Sequence, residues 1–148
     1  MVLGAVGDNI NTGSYAINGW LYTLKGADQW VTDPTQQTYF FQQESAIGHS
    51  SLTPTFMDAM WPDLWPLITD VPPTDLTGAN ANNILGRCCI ARHPLTPNAK
   101  VVSRQVLPSG INMGFADGSA RLQKLRDIKN VYWHQKFTPN ANSWAVSP

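Results

Sequence analysis

The sequence predicts an antiparallel β or α+β fold, and three observations carry that expectation. An Asp-Gly dipeptide, Asp117-Gly118, sits between two alternating apolar segments. Eleven Pro and eleven Gly accompany six Trp, so irregular segments are pinned by large aromatic side chains. The helical signals are few and short.

The hairpin is the clearest element. A type I′ turn needs positive φ at both central residues, which makes Asp-Gly a strong hairpin signal. With Asp117 and Gly118 as that turn, Ala116 faces Ser119, Phe115 faces Ala120 and Met113 faces Leu122. Period-2 alternation then gives an apolar face of Ile111, Met113, Phe115, Ala120 and Leu122. Asn112, Gly114, Arg121 and Gln123 fall on the other face, as suits a sheet with one wet side.

Taken from the start, residues 1–13 are small and polar and are expected to form a poorly ordered lead-in. Ser14 to Tyr22 is aromatic and β-branched and reads as a strand. Asp33-Pro34 is a helix start, with Asp as N-cap and Pro at the first helical position, and the helix is expected to run to about Ser45. A loop over His49–Thr55 leads into a short strand near Thr55–Asp58. Trp61-Pro62 and Trp65-Pro66 hold both Trp out of the α region. Residues 70–83 have no periodicity and read as a long loop.

Strand character returns over Ile84–Arg92, with the adjacent Cys88 and Cys89 in its middle. A vicinal disulfide is strained and two cysteines are no zinc site, so buried thiols on a strand are expected. Pro94–Gly110 is a linker. Apolar residues at 125, 128, 131 and 132 share one helical face and predict a short helix or two turns. The tail from Phe137 is irregular.

The bulk properties exclude several classes. The 148 residues suit one domain, taken as 1–148. Ten acidic and ten basic residues give zero net charge, which disfavours nucleic acid as a partner. No apolar run is long enough to span a bilayer. The N-terminus has no basic region and too short an apolar run for a signal peptide.

Candidate chemistry is sparse. His93 with Asp117 would make a base–orienter pair or metal ligands, but the turn already accounts for Asp117. There is no G-x-S-x-G elbow, H-E-x-x-H, C-x-x-C, G-x-G-x-x-G or phosphate loop. Asp58, Asp63, Asp70 and Asp75 lie in loop-rich sequence without EF-hand spacing and read as solvated acids or turn-formers. No catalytic, cofactor-binding or metal-binding residue is nominated, and no enzymatic activity is expected. The residues singled out are architectural: Asp117 and Gly118 for the turn, Trp20, Trp61, Trp65 and Trp133 for packing, and His93 to tie down a strand end.

Several segments in order resemble the C-terminal domain of bacterial prepilin-type proteins, the type II secretion or type IV pilus pseudopilin relatives with a His…Asp-Gly motif. They are Gly13–Leu21, Ser51–Trp61 with Trp65-Pro66, Cys89–His93, Gly110–Gly118 and Tyr132-Trp133-His134. The chain has Ser119 where the family often has His, and a long gap from His93 to Asp117.

The resemblance implies a pilin-like α+β fold with long irregular loops, packed in the family on a long N-terminal helix that this chain does not contain. It also implies a structural, non-enzymatic head domain on the periplasmic or extracellular face of the cell envelope. Such a head assembles with its own kind or with secretion partners, needs no cofactor, and touches the membrane only through that helix. The Ile111/Met113/Phe115 face is then expected to be covered by the N-terminal segment, by helix 33–45, or by a homodimer. A second expectation, from the aromatic residues, is a surface carbohydrate- or peptide-binding module using exposed Trp and loop 70–83.

Overall fold

The alternating segments of the sequence meet in one sheet. A computed structural model describes residues 2–3, 11–12, 15–27, 30–73, 76, 84–90 and 107–139. Strands β1 (Val2–Leu3) and β2 (Asn11–Thr12) form a separate antiparallel pair, within the segment expected to be a poorly ordered lead-in. The main sheet holds β3 (Tyr15–Asn18), β4 (Pro54–Asp58), β5 (Asp63–Leu64), β6 (Gly110–Phe115) and β7 (Ala120–Lys124), in the order β5-β3-β4-β6-β7. With short helices and irregular loops around it, the fold is α+β as expected.

The sheet is mixed rather than purely antiparallel. The pairings β3–β4, β4–β6 and β6–β7 are antiparallel, but β5 runs parallel to β3 with Ile17 opposite Asp63. The chain reverses over Ala59–Pro62 and lands on the free edge of β3 instead of beside β4. The Ile17 N–H donates to the Pro62 carbonyl at 3.0 Å as it does so.

The hairpin forms where expected, but one residue out of the expected register. Met113 faces Arg121, Asn112 faces Leu122, and Gly114 faces Ala120. The Gly118 N–H donates to Phe115 O at 3.0 Å, and the Phe115 N–H to Ser119 O at 2.8 Å. The loop is therefore Ala116-Asp117-Gly118, with positive φ at Gly118 alone, 85°. Three-residue loops of this kind place a single glycine in the left-handed region, which spares Asp117 a conformation L-residues adopt at a cost. The Asp117 carboxylate instead accepts from the Ser119 N–H at 2.9 Å and the Ser119 hydroxyl at 2.6 Å.

A slip of one residue turns every β7 side chain to the opposite face. Leu122, expected inside, is 50% exposed, while Gln123 is buried and donates from Nε2 to the Asp127 carbonyl at 2.9 Å. Arg121 joins the Met113 side of the sheet, its guanidinium 3.8 Å from the centre of the Phe115 ring.

The Ile111/Met113/Phe115 face is covered by the chain itself. These residues share one buried cluster with Phe40 and Phe41 and with Leu125, Ile128, Val131, Trp133 and Phe137 from the C-terminal segment. Phe40 and Phe41 reach it in a form that the expected helix does not have. Asp33 caps as expected, its Oδ1 accepting from the Thr35 N–H at 2.8 Å, but helix α2 is only Pro34–Gln37. Helix α1 (Leu24–Ala27) is equally short. Beyond α2 the backbone opens out and the Phe41 N–H donates to Trp20 O at 3.0 Å, so that both phenyl rings are buried. Burial of two adjacent aromatics outweighs helix propensity.

Two other expectations change in the same way. Residues 84–90 are not a strand: Leu85–Arg87 form a 3-10 turn, and Cys88 and Cys89 follow it as free, fully buried thiols. A short apolar run does not by periodicity distinguish a strand from a buried turn. The 125–133 segment keeps its spacing, with Leu125, Ile128 and Val131 all buried, but only Leu125–Asp127 is a regular turn, again 3-10.

Asn18 joins these layers. Its side chain is wholly buried; Nδ2 donates to Pro54 O at 2.9 Å and to Trp133 O at 2.8 Å, and Oδ1 accepts from the Trp20 N–H at 3.2 Å. Both amide protons and the oxygen are used, across β3, the start of β4 and the C-terminal segment.

Two substitutions test this account. Asn18→Ala orphans two buried carbonyls and one N–H, and is expected to lower unfolding stability by about 3 kcal/mol in urea titration. A loss under about 1 kcal/mol would show that the junction is not held by this side chain. Gly118→Ala meets no atom within 4 Å, so its expected loss of about 1 kcal/mol is a backbone effect alone. An unchanged urea midpoint would contradict the loop conformation.

Candidate functional site

Two surface features stand out from this framework, a cleft beside β5 and the outer face of the sheet. The cleft, about 500 Å³, is lined by Trp30, Gln36, Trp61, Asp63, Trp65 and Arg87 among others. Its floor is set by Trp65. That indole packs edge-on against Trp20 at 5.3 Å, Tyr22 at 5.4 Å and Phe40 at 5.5 Å. Gly19 makes this packing possible, since a Cβ there would lie 2.4 Å from the Trp65 ring. The following Pro66 supplies its carbonyl to the Trp20 indole N–H at 3.0 Å.

The rim is polar. The Arg87 guanidinium donates to the Asp63 carbonyl at 3.2 Å, lies 3.8 Å from the Asp63 carboxylate, and sits 5.0 Å above the Trp61 ring. Burial pulls the Arg87 pKa down and Asp63 opposes that shift. Burial also pushes the Tyr22 hydroxyl up, helped by the charge of Asp63 and a hydrogen bond to it. The four indoles singled out in the sequence thus divide. Trp20 and Trp133 are core, Trp65 is partly buried, and Trp61 is exposed at the cleft. Trp30, which the sequence reading passed over, is the most exposed of the lining indoles at 66%. Its position just before the Asp33-Pro34 cap was the available signal.

The outer face of the sheet carries Tyr15, Ile17, Phe56 and Leu122, all exposed, with Tyr15 stacked on Phe56 at 5.1 Å. Cross-strand pairing sets Ile17 beside Phe56, and Phe56 beside Gly114. Leu122 belongs here only because of the hairpin's one-residue shift.

The remaining sequence candidates have structural surroundings. Asp117 is at the exposed hairpin tip, where the Ser119 hydroxyl and N–H hold its carboxyl below the usual range. His93 lies outside the described residues. Asp58 accepts from the Asn112 N–H at 2.7 Å, and Asp70 from the Leu67 N–H at 2.8 Å. The 67–70 turn is further tied down by Lys129, whose ammonium donates to the carbonyls of Ile68 and Asp70. Asp75 and most of loop 70–83 fall outside the described residues. Among the described residues, no three His, Cys, Asp or Glu side chains converge on a metal-sized site. Cys89 is pushed up by its hydrogen bond to Cys88 and by burial, so its thiol is a poor nucleophile.

No family model matches the chain, and neither the curated proteins nor the solved structures contain a match to it.

Among the described residues, His134 carries a strongly lowered pKa. Its ring stacks on Tyr39 at 4.2 Å and meets Trp20 and Phe137 edge-on. Nδ1 accepts from the Lys136 N–H at 3.2 Å, which leaves the proton on Nε2, and Nε2 is buried without a partner. Burial lowers its pKa from 6.5 to about 4. The unfolded chain therefore takes up a proton near pH 6.5 that the folded chain refuses until about pH 4. Stability is expected to fall across that window by about 2–3 kcal/mol. His134→Phe should remove this part of the pH dependence in urea midpoints measured at pH 7 and pH 4.5. An equal drop in both proteins would assign the acid sensitivity elsewhere.

Proposed function

We propose that the chain is a non-enzymatic head domain of a pseudopilin-like subunit, assembling with like subunits in a secretion or pilus-like structure of the cell envelope. The observation that carries this reading is the open sheet face of Tyr15, Ile17, Phe56 and Leu122. Four large apolar side chains together on one sheet face suit contact with another protein surface better than contact with water. Zero net charge lets two copies approach without long-range repulsion. Much of the reactive chemistry among the described residues is engaged in structure: the thiols are buried, His134 is buried and neutral, and Asp33, Asp58, Asp63, Asp70 and Asp117 hold backbone N–H groups or Arg87.

No helix among the described residues is long and apolar enough to cross a membrane. In this proposal, membrane attachment belongs to an N-terminal helix of the kind that the resemblance implies, and the head stands on the periplasmic or extracellular side.

Light scattering after size-exclusion chromatography tests the contact. The wild-type chain is expected to self-associate with rising concentration, and Phe56→Glu with Leu122→Glu to be monomeric at an unchanged melting temperature, because both positions are exposed. A wild type that stays monomeric at about millimolar concentration, or a variant that associates equally, would reject this surface as the contact.

A further inference from the structure

The scaffold reading leaves the cleft beside β5 without a role. A volume of about 500 Å³ falls within the usual range of small-molecule sites. Exposed Trp30 and Trp61 give it broad apolar ring surfaces, and Trp65 is held rigidly behind them by Trp20, Tyr22 and Phe40. Two-χ aromatics braced in this way lose little entropy when a ligand stacks on them.

The polar members narrow the class of ligand. Asp63 and Arg87 lie 3.8 Å apart, so their charges offset and the site favours neither an anion nor a cation. The Asp63 carboxylate accepts hydrogen bonds only, Arg87 donates only, and the Gln36 amide does both. A matching ligand is neutral, has one apolar face, and is rich in hydroxyl groups around its edge. A pyranose ring has this form, with its C–H bonds on one face and hydroxyls at the rim.

Peptides fit less well. A proline-rich segment has few N–H groups to offer a carboxylate. A strand added along β5 would need the Asp63 carbonyl, which already accepts from Arg87 at 3.2 Å. We propose that the cleft is a neutral-carbohydrate site, with Trp30 as the stacking platform and Asp63, Arg87 and Gln36 as partners of the ring hydroxyls. This site is independent of the sheet-face contact and survives its failure.

Calorimetric titration of the full chain tests the proposal with neutral hexasaccharides of β-linked glucose, mannose and N-acetylglucosamine, alongside a polyproline decapeptide. At least one sugar is expected to bind with a Kd of about 0.1–1 mM, in the weak range of shallow sites. Trp30→Ala should weaken that binding about tenfold with the melting temperature unchanged, since the side chain is exposed. Asp63→Asn, which keeps the shape but loses the charge, should also weaken it. Failure of all three sugars to bind, binding indifferent to Trp30→Ala, or preference for the decapeptide would each overturn the carbohydrate assignment.

Discussion

Strand β3, the entry to β4 and the C-terminal segment meet at the side chain of Asn18, and the rest of the molecule is arranged around that junction. A buried amide is costly unless all its hydrogen-bonding capacity is used. Here Pro54 O, Trp133 O and the Trp20 N–H use it. Pro54 contributes a carbonyl from a residue with no N–H of its own, and Trp133 brings in a segment more than a hundred positions away. The same contact starts the 3-10 turn Gly19–Leu21 and so delivers Trp20 to the core. Trp20 in turn touches Tyr39, Phe40, Trp65 and His134, which links the junction to the cleft.

A second hub lies at residues 49–53, which carry no strong signal in the sequence. Thr53 O accepts from the Ala116 N–H at 3.0 Å, Ser51 O from Arg121 at 3.2 Å, and Leu52 O from the Tyr132 N–H at 2.9 Å. His49 stacks on Tyr132 at 3.9 Å. The hairpin tip is thereby locked to the C-terminal segment, in a register that local turn chemistry alone did not select. That register decides the surface, because it sends Leu122 outward beside Phe56 and takes Gln123 inward.

Several titratable groups among the described residues serve as structural fasteners. Lys129 closes the 67–70 turn, Asp58 anchors β6, and Asp117 and Ser119 tie off the hairpin. His134 is the exception, since its Nε2 has no partner. Such a group is a fixed cost of the core, offset by the aromatic packing of its ring against Tyr39 and Trp20.

What the sequence determined by itself was local. Asp33-Pro34 started a helix, Asp117-Gly118 made a hairpin, and the apolar spacing at 125, 128 and 131 marked residues that are buried. Each of these rests on backbone chemistry within a few residues, which is why it was legible. Asn18, the short reach of α2, the parallel β5 and the 3-10 turn before Cys88 depend on partners far along the chain, and only the tertiary structure decided them. The candidate surfaces follow the same division. The sequence contained the Trp residues and the alternating strands, but which indoles line a cleft and which sheet face stays open depended on long-range packing and on a one-residue shift. A period-2 pattern fixes that neighbours alternate; it does not say which set turns inward.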